Sequence, residues 1–199
     1  MDMPAPAPQQ PHDRQGFLHG KLLIAMPALP DPRFERSVIF MISHSDDGAM
    51  GLIVNKPIGP LGFKDLMQQM EIATSPATPN PPVLFGGPVE TDRGYVLHNN
   101  DRANRPASLP VTSEIALTPT IDMLRAIAEG RGPQQWLLAL GYAGWGPGQI
   151  ESEIASNSWI HCDADTELVF DAPAEDKWRL AFGKLGADLS GLSSDVGRA

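Results

Sequence analysis

The chain has 199 residues, of which 42% are hydrophobic and 20% charged, enough to bury a substantial core in one domain of the soluble globular class. A formal net charge of −9 with no Lys/Arg-rich window gives a field that repels nucleic acid and anionic lipid, which argues against non-specific nucleic-acid binding. The longest apolar runs, "LLIAM" (22–26) and "VIFMI" (38–42), fall far short of the ~20 residues of a membrane span, and the single Cys162 excludes an internal disulfide framework and suits a reducing, cytoplasmic setting.

The opening "MDMPAPAPQQPHDRQ" has neither a basic start nor an apolar stretch, so it predicts a disordered, proline-rich arm over residues 1–15 and not a secretory signal. Lys21–Pro27 reads as a strand ended by the turn-forming "LPDPRF". Ser37–Ser45 and Gly51–Asn55 read as strands close enough to pair as a hairpin, the latter stopped by Lys56-Pro57. Phe63, Leu66, Met67 and Met70 carry the stripe of a short amphipathic helix. After a loop at 73–82 come strands at Val83–Phe85 and Gly94–His98, separated by "GGPVETDR" with turn chemistry at Gly86-Gly87-Pro88 and Asp92-Arg93-Gly94.

Ala116 and Leu117 close a β segment before Thr118-Pro119, which reads as N-cap and first residue of a helix. That helix presents Ile121, Leu124, Ile127 and Ala128 as its buried stripe and stops at Gly130. Trp136–Tyr142 is a central strand, apolar on both faces. A helix from Pro147 to about Ser156 follows, then strands near Trp159–Cys162 and Glu167–Phe170. A last helix carries Trp178, Ala181, Phe182 and Leu185 on one side and ends near Gly186; residues 190–199 read as a flexible tail. Hairpins with irregularly inserted helices define an α+β class with one domain over 16–189.

The stretch "GYAGWGPGQ" (141–149), four glycines in nine residues, invites a phosphate-loop reading. A Walker-type loop needs a Lys-Ser/Thr pair after its last glycine, and a dinucleotide fingerprint needs Gly-x-Gly-x-x-Gly; neither is present. Glu151 and Glu153 already occupy the positive end of the following helix. The expectation is a structural corner with Tyr142 or Trp145 buried, at least one glycine at positive φ, and Pro147 opening the helix. A backbone binding pocket is the competing reading. In "IHCDAD", strand alternation puts His161 and Cys162 on opposite faces, which works against a Cys–His dyad. His44 with Asp46 and Asp47 reads as solvated turn chemistry and not a metal site, and neither a metal nor an organic cofactor is expected.

Three blocks together carry a resemblance: "GKLLIAMPALPDPRFERSVIFMISHSDDGAMGLIVNKP" (20–57), "FGGPVETDRGYVLH" (85–98) and "LGYAGWGPGQIESEIASNSW" (140–159). In order and spacing they resemble the AlgH/YqgE family of bacterial proteins, from about Gly16 to Leu189. The resemblance implies a single α+β domain with mixed sheets wrapped into a partial barrel and helices outside. It also carries the label of transcriptional regulator, from a genetic link to alginate production, with no established biochemical activity and so no catalytic residues. Its signature positions include Asp31, Pro32, Arg36, His44, Gly51, Asn55, Lys56, Gly86, Gly87, Asp92, Arg93, Gly94, His98, Gly144, Trp145 and Gln149. Of these, turn geometry does not require Arg36, Asn55, Lys56, Arg93 and Gln149. If they converge, they line a polar cleft for an anionic or amide-bearing ligand.

No helix-turn-helix with a basic recognition helix is present, since the helix over 119–129 has only Arg125 as a basic residue. The expected function is therefore that of a cytoplasmic, non-enzymatic regulatory or binding protein acting through a protein partner or small ligand. An enzyme acting on a small substrate in the polar cleft is the alternative, and a direct DNA-binding regulator the third reading.

Overall fold

Strand β1 (Lys21–Ala25) buries Leu22, Leu23, Ile24 and Ala25 completely, and such a run requires a sheet covered on both faces. The computed structural model describes residues 17–101 and 107–186; the expected arm (1–15) and tail (190–199) lie outside these residues. The remaining strands are β2 (Val38–Ser45), β3 (Gly48–Ile53), β4 (Pro57–Gly62), β5 (Pro82–Phe85), β6 (Val89–Asn99), β7 (Leu109–Pro110), β8 (Ile115–Thr118), β9 (Trp136–Trp145) and β10 (Trp159–Asp163). The helices are α1 (Phe63–Gln69), α2 (Ile121–Ala128), α3 (Gln149–Ala155) and α4 (Ala174–Lys184).

The strands run in the order β10-β1-β2-β3-β9-β6-β8-β7, with β4 and β5 on a side branch joined to β9. Among the described residues only the β5–β9 pairing is parallel. The sheet curls into a half-barrel, as the resemblance implies, and the α+β class is the one the residue pattern predicts. The β2–β3 hairpin forms as expected, Phe40 facing Leu52 and Ser45 facing Gly48.

Alternate residues feed three apolar clusters. Leu22, Ile24 and Phe40 point to the side closed by Ala181 and Phe182 of α4. Leu23, Ile39 and Met41 point to the other, closed by Ile150 of α3. Phe63 and Met67 of α1 meet Leu124 and Ile127 of α2 in the third. β9 contributes to all three through Leu137, Leu138 and Trp145, which explains why its sequence is apolar on both faces.

Several elements differ from the sequence pattern. β4 runs through Pro57 and Pro60, which an edge strand tolerates because its outward groups have no ladder partner. Asp92-Arg93 is no turn: both residues lie inside β6, where the register slips between Val89 and Gly94 and absorbs the irregularity as a bulge. Thr118 ends β8, and α2 starts at Ile121 after Thr120, because the Thr118 hydroxyl is engaged with His98 and Ser108 instead of capping a helix. Ile121 is exposed and Met123 takes its place in the core. Glu167–Asp171 forms a π-helical turn and not a strand, with the Asp165 carboxylate accepting the Leu168 amide (2.7 Å); a short apolar run alone does not distinguish the two.

The last helix α4 brings Lys177 into the interior. Its ammonium donates to the carbonyls of Val54 (3.0 Å) and Val169 (2.6 Å), tying the end of β3 to the π-helical turn. Burial pushes its pKa down to about 8 from 10.5, with Asp171 opposing weakly. Between these values the unfolded chain holds a proton that the folded chain has released, so stability rises with pH from about 8 to about 10.5. We expect the stability difference between the wild type and Lys177→Met to grow in favour of the wild type by roughly 2–3 kcal/mol between pH 7 and pH 10. Urea unfolding across that range measures it, and a pH-independent difference refutes it.

β9 changes partner at Gly141. Upstream, Ala139 and Leu140 pair with β5; downstream, Ala143 to Trp145 pair with β3. Gly141 has φ +73°, and a β-carbon there would overlap the carbonyl oxygen of Gly87. Gly141→Ala should therefore lose about 1–3 kcal/mol of stability in thermal or urea unfolding, and a variant as stable as the wild type would show that the strand crossing tolerates a side chain.

Candidate functional site

The stretch 141–149 is a corner. The last strand residue, Trp145, is 7% exposed, and its indole donates to Oε2 of Glu153 (2.9 Å). The indole of Trp159 donates to the same oxygen (2.7 Å), and the two rings meet edge-on with centroids 6.0 Å apart. Oε1 of Glu153 accepts from the Gln149 amide (2.9 Å), whose own oxygen accepts the Gly146 amide (3.0 Å). One carboxylate thus fixes two tryptophans and the loop. Pro147 does not open the helix: α3 starts at Gln149, after Gly148 at φ +69°, because the Gln149 amide closes a turn onto the Gly146 carbonyl.

Across the strand crossing, the β6 bulge builds a cleft. Glu90 sits at φ +47°, a conformation costly for a residue with a β-carbon. Its Oε2 accepts from the Tyr95 hydroxyl (3.1 Å) and from Nη1 of Arg93 (3.4 Å), and the guanidinium lies 5.6 Å from the Tyr95 ring centroid. Tyr142 of β9 packs edge-on against Tyr95. Burial, helped by the hydrogen bond to Glu90, pushes the Tyr95 phenol up to about 12, so at neutral pH it is a fixed donor. Between this cluster and Ser43, Leu109 and Val111 opens a cavity of about 510 Å³. It shares Ser43, Met50 and Tyr142 with a second concavity, and Arg93 and Pro119 with a third between α1 and α2. The third is walled by Met70 and Ile121, both exposed.

A family profile described as AlgH-like matches residues 22–190. The chain belongs to the AlgH-like family. It is 50% identical over 190 residues to a UPF0301 protein of Afipia carboxidovorans, covering 92% of this chain and 90% of that one. A UPF0301 protein of Jannaschia sp. is 52% identical over 193 residues, with 96% and 98% covered. The solution structure of AlgH from Pseudomonas aeruginosa superposes with a TM-score of 0.74 at 39% identity, covering 99% of this chain and 100% of that one. An X-ray structure of a Corynebacterium diphtheriae protein, TM-score 0.68 and 22% identical over 98% of this chain and 95% of that one, shares the fold.

In this AlgH-like chain the five polar residues singled out in the sequence fall in three places. Asn55 is a clamp: its oxygen accepts the Val38 amide (2.8 Å) and its nitrogen donates to the Arg36 carbonyl (2.9 Å). Arg36, at φ +51°, extends its guanidinium over the Trp178 ring at 5.5 Å. Lys56 follows Asn55; burial pushes its pKa down while Glu35 pulls it up. Gln149 belongs to the Glu153 corner. Only Arg93 of the five lines the cleft; of the residues that share it, Glu90 and Tyr95 carry no local sequence signal beyond the resemblance block around Arg93, and Tyr142 stands out in the sequence only as a packing residue of the 141–149 corner.

His44 and His98 of the AlgH-like chain are committed elsewhere. The Leu18 amide donates to Nδ1 of His44 (3.0 Å), so the ring proton sits on Nε2 and faces Glu151 at 2.8 Å. Among the described residues no cluster of three metal-ligating side chains occurs. His98 contacts the Asn99 carbonyl through Nδ1 (2.9 Å), which leaves Nε2 to accept from Thr118, whose oxygen in turn takes the Ser108 hydroxyl. Cys162 faces the core opposite Leu22 while His161 is exposed, and burial pushes the thiol up.

Removing the Glu153 carboxylate leaves two largely buried indole donors without an acceptor. We expect Glu153→Ala to cost about 2–4 kcal/mol in unfolding free energy and to shift tryptophan emission to the red. A loss under about 0.5 kcal/mol would mean that water replaces the carboxylate without penalty.

Proposed function

We propose that this AlgH-like protein is a non-enzymatic binding protein whose regulatory role is indirect, exercised by what occupies the cleft beside Arg93. The observation that carries this reading is the distribution of exposed apolar surface. Among the described residues five large apolar side chains are exposed, and four of them (Met70, Val89, Leu109 and Ile121) wall the cleft and its two neighbours. Apolar surface gathered around one oriented cation has the composition of a recognition site. Arg93 lines the opening with its side chain about half exposed, and its Nη1 is held by Glu90. Burial raises the Tyr95 phenol in the cleft and so keeps it protonated at neutral pH, opposite to what a general base needs.

One observation favours an enzyme as a second reading. The chain Ser108–Thr118–His98 leads a proton path from a half-buried hydroxyl beside Leu109 to a buried imidazole. Labelling of Ser108 by a fluorophosphonate, lost in Ser108→Ala, would support it.

A thermal-shift screen with metabolites, nucleotides and short peptides tests the binding reading. A ligand at ~100 times its dissociation constant adds about 2.7 kcal/mol. Arg93→Ala and Leu109→Asp, both at exposed positions, should each abolish the shift measured against that variant's own unliganded melting temperature. Hits that stabilise both variants as well as the wild type would refute the cleft as the site.

A further inference from the structure

The three concavities, of about 460, 510 and 470 Å³, share lining side chains in series and form one groove. Each alone has the size of a small-molecule site, and together they exceed one. Its apolar walls lie at separate points: Val89 at one end, Leu109 in the middle, Met70 and Ile121 between α1 and α2 at the other. Among the described residues its charged side chains are Asp47, Glu90 and Asp92 against Arg93. An occupant that is only anionic meets three carboxylates for one guanidinium, in the field of a chain of net charge −9. A nucleic acid, an anionic bilayer or a second copy of this chain carries the same sign and is repelled.

We propose that the groove docks a basic, amphipathic segment of a partner protein. Its apolar side chains seat on Met70, Ile121 and Leu109, and its Lys or Arg residues pair with Asp92, Glu90 and Asp47. This inference rests on the reading of the cleft as the binding site. Burial of spaced apolar anchors supplies the affinity, and the carboxylates supply orientation and a salt-dependent association rate.

The test is fluorescence anisotropy with a labelled Leu/Lys amphipathic peptide and its Leu/Glu counterpart, on the full chain. The Leu/Lys peptide should bind, and weaken about tenfold both with Asp92→Lys, which reverses a groove charge, and with Ile121→Asp, which removes an apolar wall. Glu175→Lys, an equal charge change at an exposed position on α4, should alter affinity by less than about twofold. Equal weakening by Glu175→Lys overturns the inference, since binding would then follow net charge alone. Equal or tighter binding of the Leu/Glu peptide, or preferential binding to vesicles of anionic lipid, overturns it too. If neither peptide binds while metabolite hits still depend on Arg93 and Leu109, the partner inference fails and the binding-protein reading stands; if no ligand depends on those residues, both fail.

Discussion

At Gly86, Gly87 and Gly141 two backbones pass in direct contact, and the halves of the sheet are joined there. The Gly86 amide donates to the Leu140 carbonyl of β9 (2.7 Å), while its own carbonyl accepts the Ile53 amide of β3 (2.9 Å). A β-carbon on Gly87 would overlap the Tyr142 carbonyl group, and one on Gly86 the Gly141 oxygen. Glycine is needed here for close approach as much as for φ. Because β9 exchanges β5 for β3 at this point, the sheet turns through the corner instead of extending flat, and one strand can wall three apolar clusters.

The crossing also makes the cleft. With Gly87 pressed against Tyr142, β6 cannot pair smoothly with β9 from its first residue, and the register is recovered only at Gly94. The intervening bulge carries Glu90 at a strained φ and sets Arg93 and Tyr95 on the concave side. Strain of this kind persists where the surroundings over-determine it, and here they do: the carboxylate of Glu90 is held by a phenol and a guanidinium together. The tryptophan corner on the other side, fixed by Glu153, holds the end of β9 so that Tyr142 keeps its place against Tyr95.

Much of the architecture was legible because its signals are local. The strand-length apolar runs at 22–26 and 38–42, the stripe of α1, the corner at 141–149 and the opposed faces of His161 and Cys162 all follow from run length, periodicity or turn chemistry. What escaped depends on partners distant in sequence. Thr118 looks like a helix cap until His98, 20 residues away, takes its hydroxyl. Leu168 and Val169 look like a strand until the Asp165 carboxylate and Lys177 hold them in a π-helical turn. Of the five polar candidates, Asn55 and Gln149 serve backbone clamps that no residue type announces, and only Arg93 opens onto the groove.

The acidic composition takes on a different meaning once the groove is placed. Read from the sequence, the net charge of −9 counts only against nucleic acid and anionic lipid. In the fold, three carboxylates border the largest gathering of exposed apolar side chains among the described residues, so under the proposed docking the same sign that repels one class of partner attracts another. Arg93 stands among them as a local reversal of charge over an aromatic ring. A like-charged cation on an incoming segment cannot lie directly on that ring, whereas a carboxyl or carbonyl group can meet its guanidinium. In the proposed docking Arg93 therefore sets the register by meeting an acceptor on the segment, a backbone carbonyl included, while the segment's basic residues pair with the carboxylates.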